Sequence, residues 1–224
     1  MDLYKTLKKA PVMKSVFVYE QMKEELINGK WNFGEKILVN ALIERFNVSR
    51  RPVMEALKML ENDGFIQILP QYGCKVIDYS KKSALEVILL RSAIEGLCAE
   101  MGAKNHTTEE IESLENYQRM ISLNPEKLYD KYFYLRYNRE FHSHIALMAH
   151  SDKIREYTVQ IWGLNDFYLV NLFDHFRWDI TGSLEGHNKI VDAIKDRDGA
   201  KAKKLMEEHL ELFIHQHKDR LPEM

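Results

Sequence analysis

The 224-residue chain has only two cysteines, Cys74 and Cys98, and their spacing forms neither a metal motif nor a disulfide framework. Both are expected as reduced thiols, as in a cytosolic protein. No run of about 18 apolar residues occurs, so no membrane span is expected. Met1 to Lys14 is basic but lacks the apolar core of a secretory signal, and the cytoplasm is the expected location. There is no glycine-rich phosphate loop and no nucleophile elbow. No period of about 20–50 residues repeats, which excludes a solenoid. The chain also lacks a large excess of one charge: 32 basic and 34 acidic residues leave a net −2. Residues 1–78 hold 12 basic against 10 acidic, and the remainder 20 against 24. A slightly basic module on an acidic body is compatible with DNA binding.

What is present points to a folded protein, with 45% hydrophobic and 11% aromatic residues. The most informative stretch runs from Asn47 to Ile66. Ser49 suits a helix N-cap, and Pro52 is tolerated in a first turn, whose amides have no helical partner. Val53, Ala56, Leu57 and Leu60 then fall at 3/4 spacing on one apolar face, and Gly64 ends the helix. With a shorter helix over 39–46 before it, this reads as a helix-turn-helix whose second helix carries Arg50 and Arg51 at its tip, where recognition helices meet DNA. A helix over 14–29 precedes the pair. Ile37-Leu38 is short and extended, and 65–69 with 74–78 form a hairpin around Pro70-Gln71-Tyr72-Gly73.

After Tyr79-Ser80 the strand pattern disappears. Helices are expected over 83–104, 107–122, 126–149, 151–176, 181–196 and 198–217, a bundle rather than a repeat array. Thr107, three before Glu110, marks a capping box. The expected architecture is mainly α: a winged helix-turn-helix with a two-stranded wing at 10–78, then an all-α bundle of six or seven helices at 80–220.

The block from Tyr19 to Val76 resembles the GntR family of bacterial winged-helix regulators through Ile27, Gly29, Gly34, Leu42, Val48, Ser49, Arg50, Pro52, Val53, Glu55, Ala56, Leu57, Leu60, Gly64, Gly73 and Val76. The helical remainder resembles the FadR-type branch, with its FCD ligand-binding domain, through Arg91 with Glu95, 138–142, 186–190 and 202–209. The resemblance implies that Arg50 on the recognition helix and Gly73 at the wing tip face operator DNA; Ser49 and Arg51 beside Arg50, and Asn40 on the preceding helix, are further candidate contacts. Met54 stands where the family usually has arginine, and Asn40 where it often has a charged residue. The departure at Met54 implies a divergent operator, with Arg51 compensating.

The same resemblance implies a metal centre from Asn138, His142, His187 and His209, with Asn138 in place of the more usual aspartate. Asn138 and His142 are four apart and share a helix face, and bundles build metal sites from facing helices. Neutral imidazole suits one divalent transition metal, Zn²⁺ or Ni²⁺. Arg91 is either an i,i+4 partner of Glu95 or a clamp on a ligand carboxylate. Tyr134, Asn165 and Tyr168 could face the same cavity, but for each a place in the core or on the surface is the favoured expectation. The other six histidines, His106, His144, His150, His175, His215 and His217, are assigned no role. The implied protein is a homodimeric regulator of double-stranded operator DNA responding to a small organic acid, without a membrane partner and not an enzyme. Two rival readings use the same histidines: a metal-dependent hydrolase with Glu140 activating water, and a sensor for which the ion itself is the signal.

Overall fold

The computed structural model describes residues 13–69, 71–173, 179–219 and 221–222. These form two compact units, one within Met1–Ser80 plus Asp166–Asn171, the other within Lys81–Asn165 plus Leu172–Glu223. Among the described residues, no helix is long and apolar enough to cross a membrane.

The first unit is built on α1 (Lys14–Ile27), α2 (Val39–Phe46) and α3 (Arg50–Asn62). Val18, Met22 and Leu26 repeat every four residues along α1, and Val53, Ala56, Leu57 and Leu60 line α3; all are fully buried where these helices pack. Each fully buried aliphatic side chain contributes about 1.5–3 kcal/mol. Asn47 adopts a left-handed conformation (φ 49°) and turns the chain from α2 into α3. Buried Lys23 ties α1 to the end of α3, donating to Asp63 Oδ2 at 2.9 Å and to the Tyr19 hydroxyl at 2.7 Å.

Ser49 holds the expected N-cap position with extended backbone, but its side chain makes no cap hydrogen bond and stays exposed. The physical reason lies three residues on. An N-cap oxygen accepts from the second or third helical amide, and here the third helical residue is Pro52, which has none.

The expected hairpin is present as β2 (Ile66–Leu69) and β3 (Gly73–Val76), with Ile68 opposite Cys74 and Leu69 opposite Gly73. Its tip residue Pro70 lies outside the described residues. The sheet is larger than the expected two-stranded wing. β1 (Lys36–Ile37) pairs with the far edge of β3, Ile37 opposite Cys74, giving the order β1-β3-β2.

The second unit contains α4 (Lys81–Asn105), α5 (Thr108–Ser122), α6 (Lys131–Met148), α8 (Ile180–Lys195) and α9 (Gly199–His217); α7 (Asp152–Leu172) begins in it and reaches the first unit's 166–171. Thr107 makes the expected capping box with Glu110. The single helix expected over 126–149 is two elements, a 3-10 turn (Pro125–Tyr129) and α6. Asp130 separates them: its carboxylate accepts from the Phe133 amide and starts the new helix. Helix α8 starts at Ile180, one residue before the expected 181, capped by Asp179 on the Gly182 amide. α4 is the central helix, packing against α6, α8 and α9.

Candidate functional site

Arg50 and Arg51 lie exposed at the first turn of α3, as expected, and Asn40 is exposed in the first turn of α2. Arg51 is held along the helix by Glu55, Nε to Oε1 at 2.8 Å. Gly73 is exposed at the hairpin with φ 103°, a conformation that a side chain would strain. Gln71 beside it is also left-handed (φ 67°), and Tyr72 stands 88% exposed at the tip.

In the second unit, three histidines expected to act together do meet. His142 on α6, His187 on α8 and His209 on α9 each offer a ring nitrogen, all within 4.8 Å of one another. His187 Nε2 and His209 Nε2 are 3.1 Å apart. Two nitrogens about 2.0–2.1 Å from one ion would be separated by about 3–3.4 Å, so this spacing suits shared ligation. His142 and His187 are almost fully buried, and Phe141 stacks flat on His187, centroids 3.7 Å apart. Asn138 is also buried and lies one turn before His142 on α6.

The environment keeps the imidazoles neutral. Burial, then the neighbouring His142 and Arg91, pushes His209 down to about 3. Burial with His209, His142 and Arg91 holds His187 well below its ordinary range. Burial also lowers His142, outweighing the opposing pull of Glu95. Neutral imidazoles have a lone pair to offer a metal.

The outer side of the His142 ring meets Glu95, which the sequence pairs only with Arg91. Glu95 Oε2 lies against His142 Nδ1, and Glu95 Oε1 accepts from Arg91 Nε and, at 2.6 Å, from Trp162 Nε1. Arg91 is therefore a buried ion-pair partner of Glu95. Burial raises the Glu95 carboxyl, but Arg91 and His142 outweigh it and keep it ionised, well below the usual carboxylate range. The contact with that carboxylate is made by Nδ1, and Nε2 on the other side of the ring is fully buried and has no hydrogen-bond partner. An orphaned buried nitrogen, two facing imidazoles and a carboxylate behind the first ring fit a divalent transition metal.

The remaining candidates take the following places. Tyr134 is buried, its hydroxyl 3.4 Å from Ser183 Oγ, and Asn165 is buried. Tyr168 belongs to the first unit, where its ring packs on Phe33 at 5.3 Å. Glu140 accepts from the Tyr117 hydroxyl at 2.6 Å and is exposed. Among the histidines without an assigned role, His106 bridges Thr107 O and Ile194 O, and His150 contacts Glu110 at 2.9 Å. His175 lies outside the described residues.

A winged helix-turn-helix on the same chain as a helical bundle with a buried histidine cluster defines a DNA-binding protein with a sensory domain. Residues 14–76 match the family described as bacterial regulatory proteins, gntR family, and residues 86–212 match the FCD domain. The chain belongs to the GntR family of transcription regulators, with an FCD domain, and is not an enzyme. It is 25% identical over 205 residues to the uncharacterized HTH-type transcriptional regulator YdhC of Bacillus subtilis, covering 91% of this chain and 89% of that protein. It is 28% identical over 196 residues to the HTH-type transcriptional repressor RspR of Escherichia coli, covering 87% and 84%. The solved structure of E. coli McbR/YncC shares the fold, with TM-score 0.77 and 20% identity over 94% of this chain and all of that one.

Proposed function

We propose that the chain is a homodimeric regulator that binds a palindromic operator and whose metal-anchored pocket receives a small carboxylate effector. Residues 10–78 serve as the DNA-binding domain and 80–220 as the ligand-binding and dimerisation domain, working in the cytoplasm. The observation that carries this reading is the convergence of His142, His187 and His209 in a chain that also holds a helix-turn-helix. Asn138, one turn from His142, is proposed as the fourth ligand. A bound Zn²⁺ or Ni²⁺ would supply open coordination positions for a carboxylate oxygen. Arg91, its Nε committed to Glu95, is proposed to clamp the same carboxylate through its Nη atoms.

On the DNA side, Ser49, Arg50, Arg51, Asn40 and Gly73 are the proposed contacts. Symmetric pairing supports a dimer, because one module has few base contacts and two-fold pairing matches palindromic sites. Helix α4 also carries Leu90, Ala93 and Leu97 exposed at 3/4 spacing, an apolar stripe that a second copy would cover. Effector binding must favour one arrangement of the two DNA-binding modules over another, or it regulates nothing.

The test is operator selection from random duplexes, followed by titration of the selected site with and without Zn²⁺ and small dicarboxylates. A palindromic site is expected, with affinity that falls with salt and shifts with metal plus carboxylate. Arg50→Ala is expected to cost about 1–3 kcal/mol on that site. A shift with metal alone at submicromolar free ion would favour the metal-sensor reading, and the absence of any selected site would contradict the proposal.

A further inference from the structure

His187 sits at the end of a hydrogen-bond chain that crosses three helices, and every proton in it can be placed from one fixed point. Leu184 O on α8 is a carbonyl and only accepts. Gln118 on α5 meets it with Nε2 at 3.4 Å. The amide oxygen of Gln118 therefore faces the other way, where it takes the Tyr137 hydroxyl of α6 at 2.8 Å. Tyr137 has one hydroxyl proton. With that proton on Gln118, the contact of its oxygen to His187 Nδ1, 2.6 Å away, is donated by the imidazole. A neutral imidazole carries one N–H, so the lone pair of His187 is on Nε2, the atom that faces His209 at 3.1 Å. Gln118, Tyr137 and His187 are all buried, so water does not compete for these bonds.

We infer that Gln118 and Tyr137 are positioning residues of the metal centre: they fix His187 as its Nδ1-protonated tautomer and so present Nε2 to the ion. This deepens the metal-anchored reading and rests on it for the ion, but the proton arrangement is a property of the metal-free protein as well. Without an ion, the 3.1 Å contact is an N–H···N bond donated by His209 to His187. The two outer partners differ in kind. His142 leans on the charged Glu95, and His187 on a neutral phenol whose own proton is occupied. If Gln118 lost its oxygen, the Tyr137 proton would turn to His187 Nδ1. The imidazole would then carry its own proton on Nε2, the atom the metal needs.

The experiment is nitrogen-detected NMR of ¹⁵N-histidine-labelled, metal-free full chain, for wild type, Gln118→Leu and Tyr137→Phe, with each variant's fold checked by circular dichroism. Wild-type His187 is expected to show a pyrrole-type Nδ1 and a pyridine-type Nε2. Gln118→Leu is expected to reverse them, and Tyr137→Phe to leave a mixture. Titration with Zn²⁺ or Ni²⁺ should show about a 10- to 100-fold loss of affinity in Gln118→Leu, the usual cost of losing an outer-shell partner. A proton on Nε2 in wild-type His187, or an unchanged tautomer in a folded Gln118→Leu, would overturn the relay. The expected tautomers together with no metal bound by wild type would support the relay and overturn the metal reading alone.

Discussion

At the scale of single residues, the costly groups are the buried charges. Arg91 and Glu95 are 5% and 2% exposed and pair directly, and Trp162 and His142 share the carboxylate. An exposed i,i+4 pair is worth a few tenths of a kcal/mol, but breaking a buried one costs about 3–5 kcal/mol because a charge is left uncompensated. Glu95→Ala is therefore expected to lower urea-unfolding stability by about that amount and to weaken metal binding; a loss below about 1 kcal/mol would show that Arg91 is not held by Glu95 alone. The thiols are a milder case. Burial pushes Cys98 up to about 12 and Cys74 up to about 11, so neither is a thiolate at neutral pH. Both are expected to resist an aromatic disulfide reagent in the native protein and to react in denaturant. Rapid native labelling of either would contradict the burial described.

At the scale of elements, Gly186 illustrates why a helix can need its weakest former. A methyl added there would stand 2.8 Å from His209 Nδ1, inside the imidazole's own space. Gly186→Ala should favour α8 by about 0.8–1 kcal/mol through helix propensity alone. It should still lose metal affinity, because the His209 ring must move. Calorimetric titration beside thermal unfolding checks this; retained stability with unchanged metal affinity would place His209 outside the centre. Some element starts were legible in the sequence from a short polar residue, as at Thr107. Asp130 was missed because its cap interrupts an aromatic run that is helical on both sides. The extended Ile37-Leu38 segment was legible, but its pairing with β3 was not, because two residues are too few for alternation to indicate a partner. The histidine trio was legible through the family resemblance, but its supports were not. Helical period cannot say that Tyr137 meets a histidine fifty positions later in the chain.

At the scale of the whole molecule, a regulator needs a sensory state that is stable when loaded. An ion that binds only the folded centre adds stability by mass action, about 4 kcal/mol at a thousandfold excess over its dissociation constant. Chelation is therefore expected to lower the thermal midpoint of the wild type, while His209→Ala shows no such dependence. A midpoint insensitive to chelator in metal-loaded wild type would contradict a folded-state site. The most direct test of the central claim is elemental analysis of purified protein, wild type beside His187→Ala. About one divalent transition metal per chain is expected in the wild type, lost in the variant. Metal-free wild type, even after dialysis against Zn²⁺ or Ni²⁺, would contradict it and leave the histidine cluster as structure without an ion.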